Sequence, residues 1–110
     1  MYIEKLHPKI GAKIEGIDLA NLDNAQFDKI KKLWLEHLIL LFPNQSISDE
    51  EHIKFGKLFG KLEKHPSLSH RSSTNPEIYR VSNVSEKGDI IPSKNTSWQY
   101  LKQSWLWHTD

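Results

Sequence analysis

No cysteine occurs anywhere in the 110 residues, which excludes disulfides, thiolate zinc sites, iron–sulfur clusters and cysteine nucleophiles. Long apolar runs are missing too. The longest, Leu38 to Phe42, has five residues, against the roughly 20 a helix needs to cross a bilayer. An excess of either charge is also lacking: 15 Lys and Arg face 14 Asp and Glu, for a net charge of +1. A chain so balanced does not read as a partner of nucleic acid or of a membrane surface. Its densest basic cluster, Lys29, Lys31 and Lys32, sits inside an amphipathic pattern and reads as a solvated helix face. The start, Met1-Tyr2-Ile3-Glu4-Lys5, has neither the basic residues nor the apolar stretch of a secretory leader. No repeat or low-complexity tract divides the chain. These absences describe at most one small domain, expected to be soluble and cytoplasmic.

What is present reads as mixed α and β. An extended stretch with Ile3 and Leu6 precedes His7-Pro8, and Pro8 biases His7 away from helix. Gly11 and Gly16 bracket a short strand-like piece, places where a positive φ or a close backbone approach is expected. Asp23 with Gln26 fits a capping box, so a helix is expected over Asn24 to His37, with Phe27, Ile30, Trp34 and Leu38 on one face. Leu38 to Phe42 reads as a buried strand entered directly from that helix and stopped by Pro43-Asn44. Ser48 with Glu51 makes a second capping box. A shorter helix is expected from Asp49 to Phe59, its apolar face formed by Ile53, Phe55, Phe59 and His52, with Gly60 as the C′ residue. Ile78 to Val84 has strand composition, and Glu86-Lys87-Gly88-Asp89 reads as a turn.

One constellation has a sharp chemical meaning: His108-Thr109-Asp110. On a strand, side chains two residues apart point to one face, so an imidazole and a carboxylate can converge on one metal ion. With a second His from elsewhere this makes the two-His, one-carboxylate triad of non-haem Fe(II) oxygenases, whose open positions take a chelating co-substrate and O₂. Six His and six Asp in 110 residues yield roughly a third of one such spacing by chance, and an ordinary surface His–Asp pair is the competing explanation. In a strand, Leu106, His108 and Asp110 share one face while Trp105, Trp107 and Thr109 share the other, which is expected to anchor in a core. The chain stops directly after this aromatic stretch, and a larger domain beyond it is expected.

Leu106-Trp107-His108-Thr109-Asp110 resembles the metal-binding signature of the taurine/2,4-dichlorophenoxyacetate dioxygenase (TauD/TfdA-like) family. Gly11-Ala12 through Gly16-Ile17-Asp18-Leu19 is similar to the family's N-terminal motif, and the helix running into Leu38–Phe42 to its helix-to-strand entry. Phe55-Gly56 to Phe59-Gly60-Lys61-Leu62-Glu63, followed by His65-Pro66, resembles a further family element. These matches occur in family order across nearly the whole chain. The resemblance implies residues 1–110 as the N-terminal portion of a single double-stranded β-helix (jelly-roll, cupin-like) dioxygenase domain with helices packed on the sheet. It implies Fe(II) as metal, 2-oxoglutarate and O₂ as co-substrates, and release of succinate and CO₂.

By the same resemblance His108 and Asp110 are two of three iron ligands. The third His and the Arg that holds 2-oxoglutarate lie beyond residue 110. His65 matches a position that contacts substrate in taurine-type members. Ser104 stands where those members carry Asn, and Leu68 where they carry Tyr. These departures point away from taurine itself, and the spacing from Arg80–Val84 to Leu106-Trp107 is nearer the aryloxyacetate branch. The implied substrate is a small organic acid: an aryloxy acid, a sulfonate or a sulfate ester. The complete enzyme is open to homo-oligomerisation, and the 110 residues alone are expected to be inactive. Two alternatives stand beside this reading. One is a non-catalytic α+β interaction module or truncated remnant; the other is a metal-dependent hydrolase using His-x-Asp.

Overall fold

The computed structural model describes residues 1–64, 66, 71–96 and 105–108. The chain divides into two compact units, Met1–Lys61 and Leu62–Asp110. In the first, the elements run β1 (Tyr2–Lys5), β2 (Ala12–Glu15), α1 (Asn24–His37), β3 (Leu40–Leu41) and α2 (Asp49–Lys57).

Strand β2 is central in a sheet of order β1-β2-β3. It pairs antiparallel with β1, Ile3 opposite Ile14, and parallel with β3, Ala12 opposite Leu40. The pleat explains the division of its side chains. Ala12 and Ile14 point inward and are fully buried, while Lys13 and Glu15 face the other side. There the Lys13 ammonium lies 2.6 Å from its cross-strand neighbour Glu4 and 3.7 Å from Glu15. The bond to Glu4 holds the Lys13 pKa above its ordinary value. Gly11 (φ +89°) and Gly16 (φ +71°) close the two ends of β2 in the left-handed region, as the sequence led one to expect.

Beyond Gly16 the chain turns under the core through Ile17 and Leu19, both buried. Gln45 holds this segment: its amide donates to the Ile17 carbonyl at 3.0 Å and its carbonyl accepts from the Leu19 N–H at 3.0 Å. One side chain thus serves two inward-turned backbone groups that helix and sheet do not reach.

Both capping boxes form. Asp23 accepts from the Gln26 N–H at 2.7 Å and Ser48 from the Glu51 N–H at 3.2 Å, with the reciprocal bonds from Asp23 and Ser48 N–H in place. The inward stripe of α1 differs from the expected one. Ile30 and His37 are its buried residues and Leu33 packs on the core, whereas Trp34 is half exposed. Phe27 and Trp34 turn instead toward the segment just after α2, where each meets Phe59 edge to face at 5.1 and 5.5 Å between ring centres. Phe55 links that cluster to Phe42. Tertiary contact with Phe59 therefore rotates the apolar face by about one position relative to the simple 3,4 spacing. Helix α2 ends at Lys57, two residues short of the expected Phe59, because Leu58 caps it and Gly60 turns away with φ +147°. His52, placed on its apolar face by the sequence reading, is exposed.

The passage from α1 to β3 is abrupt. Leu38 still donates to Trp34 at 2.7 Å, yet the Ile39 N–H already bonds the His37 carbonyl at 2.8 Å. That closes a γ-turn around Leu38 at φ +66°, ψ −32°, a strained arrangement for a residue with a Cβ. The His37 carbonyl also accepts from Gly11, and the Ile39 carbonyl from Ala12, so the turn is locked to β2. The expected buried strand Leu38–Phe42 is thereby reduced to Leu40–Leu41. Leu38, Ile39 and Leu41 are 60%, 56% and 49% exposed, because β3 is an edge strand that turns only Leu40 and Phe42 onto the core. Leu38→Gly is expected to raise stability by about 0.5–1 kcal/mol, relief of φ strain outweighing the added freedom of the unfolded chain. Urea unfolding checks this, and a net loss would refute the strain assignment.

The second unit is built of turns in its described part. Ile78–Val84 does not form the expected strand: Tyr79 bridges back to Arg71 and Val84 forward to Ile90. The run is thus split between two turns, and among the described residues it has no single partner strand. The expected polar turn is present, with the Ser85 N–H on the Asp89 carbonyl at 2.8 Å. No helix among the described residues is long and apolar enough to cross a membrane.

Candidate functional site

The chemistry proposed from the sequence converges on the last four residues, of which His108 is described and Asp110 lies outside the described residues, as do His65 and Ser104. His108 is exposed, and its Nδ1 lies 2.7 Å from the Leu106 carbonyl oxygen. A carbonyl oxygen can only accept, so Nδ1 carries a proton and donates to it. Metal-binding histidines commonly bond a backbone carbonyl through the ring nitrogen that faces away from the metal. An imidazole so oriented is of the donor type that suits a divalent metal. Among the described residues no group of three or more His, Asp or Glu side chains is placed to hold one.

The strand geometry expected here is not what residues 105–108 adopt. Trp105 lies in a short 3₁₀ turn and Leu106 in a bend, and Trp105 and Trp107 are largely exposed, not anchored in a core. A strand requires a neighbour to complete its ladder, and no described strand or bridge pairs with this segment. The alternation that puts His108 and Leu106 on one face is replaced by a turn in which the Leu106 carbonyl bends back onto the His108 ring.

The remaining described histidines serve local structure or face solvent, as their positions suggest. His37 is buried at the end of α1, with Nε2 3.6 Å from Glu36. His7 Nδ1 accepts from the Lys9 N–H at 3.2 Å. His70 lies outside the described residues.

Two residues of structural consequence escaped the sequence reading. Gln45 clamps the Ile17–Leu19 segment. Glu86 accepts the Ser73 N–H at 2.9 Å across 13 positions, and that bond, followed by the Ser73 hydroxyl and the Arg80 charge, holds its carboxyl below the ordinary range. Neither carries a local signal, since each acts on a backbone group distant in sequence.

The family model for taurine catabolism dioxygenase TauD, TfdA family matches residues 2–110. The chain is 33% identical over 110 residues to the (S)-phenoxypropionate/alpha-ketoglutarate-dioxygenase of Sphingobium herbicidovorans, covering 98% of this chain and 34% of that protein. It is 30% identical over 114 residues to the alpha-ketoglutarate-dependent sulfonate dioxygenase of Saccharomyces cerevisiae, covering 98% and 26%. Among solved structures it resembles AAD-2 in complex with Mn(II) and N-oxalylglycine, with a TM-score of 0.81 and 22% identity, covering 99% of this chain and 36% of that one; this likeness speaks for the fold. The chain spans about a third of the length of the curated relatives it matches first.

Proposed function

Because the chain belongs to the TauD/TfdA dioxygenase family, we propose that it is the N-terminal portion of an Fe(II)- and 2-oxoglutarate-dependent dioxygenase acting on a small organic acid. The observation that carries this reading is the family match over residues 2–110, which includes the His-x-Asp motif of His108 and Asp110. His108 and Asp110 would hold the metal, with a further His supplied from beyond residue 110. Iron and 2-oxoglutarate, when bound, supply the oxidising power for hydroxylation with O₂, releasing succinate and CO₂.

This chain's own part is positional. The Leu106 carbonyl holds the orientation of the His108 ring. A neutral imidazole and one carboxylate leave a divalent ion with net positive charge, which favours an anionic chelator. Two of the relatives' names point to the substrate classes most worth testing, aryloxy acids and sulfonates, and sulfate esters complete the set. The jelly-roll core belongs to the same proposal: the described residues contribute a three-stranded sheet with two helices, the remainder of the barrel being expected from the rest of the domain. The 110 residues alone are expected to be inactive.

A protein of the relatives' length carrying this chain, supplied with Fe(II), 2-oxoglutarate and O₂, should release succinate only when a phenoxy acid, sulfonate or alkyl sulfate is added. A panel of all three classes that leaves 2-oxoglutarate consumption at its background rate would count against the proposal. It would favour instead a non-catalytic module.

A further inference from the structure

We draw no further inference here: the strongest candidate, the apolar groove of the first unit lined by Ile30, Trp34, Leu40, Phe42, Phe55 and Phe59, carries nothing because nothing in the structure shows what covers it.

Discussion

Replacing His108 with Ala, in a protein of the relatives' length, is expected to abolish substrate-dependent succinate release. The loss should exceed the roughly 10–100-fold that follows when only a group supporting a metal ligand is removed, because the variant deletes the electron-pair donor itself. Asp110→Ala is expected to do the same. The structural basis is the ring's orientation, with Nδ1 held by the Leu106 carbonyl at 2.7 Å. A Phe at the same position keeps the bulk and removes the donor, and should be equally inactive. His7→Ala, whose ring accepts a local N–H at 3.2 Å, should leave turnover unchanged. Iron content and succinate yield, measured together, check the assignment. A His108→Ala protein that retains stoichiometric iron and coupled succinate release would remove His108 from the metal site.

The second large effect falls on stability. Ile30→Ala is expected to destabilise the first unit by about 2–5 kcal/mol, the range for emptying a buried aliphatic site that collapses incompletely. Ile30 is 1% exposed and sits with Ile14, Ile17 and Leu19 at the centre of the core. That core has only four fully engaged apolar side chains, and small domains have little stability in reserve, about 5–15 kcal/mol in general. A loss of this size would therefore populate the unfolded state at room temperature. Ile30→Val, which removes one methylene, should cost about 0.5–1.5 kcal/mol. Trp34→Ala, on the half-exposed side of the same helix, should cost less than Ile30→Ala despite the larger side chain. Urea unfolding followed by circular dichroism ranks the three. If Trp34→Ala proves the more damaging, the core is centred on the aromatic cluster with α2 and not on β2.

Local signals in the sequence were strong wherever the physics is local. Both helix starts were legible because a capping box is a reciprocal bond between residues three apart, and Asp23–Gln26 and Ser48–Glu51 form it as expected. The glycines that end β2 were legible because φ of +89° and +71° excludes most other residues. The family resemblance was legible because several such short patterns occur in order, and the match over residues 2–110 bears it out. Strand extents were not. Leu38–Phe42 and Ile78–Val84 have strand composition, yet a strand exists only as far as a partner pairs with it. The partner of the first run supplies two residues, while the second divides between two turns.

What the sequence determined alone is therefore the set of features whose energy lies within a few neighbouring residues: helix caps, left-handed glycines, the absence of thiol chemistry, and the His-x-Asp spacing. Tertiary structure decided which face of α1 is buried, since Phe59 of another segment draws Trp34 and Phe27 aside. It decided that Gln45 and Glu86 bind backbone far away in sequence. It also set a proton of His108 on Nδ1, because the position of a carbonyl oxygen, and not the residue type, decides that this nitrogen donates. Distances between residues remote in sequence arise only when the chain has folded, and no pattern of neighbours encodes them.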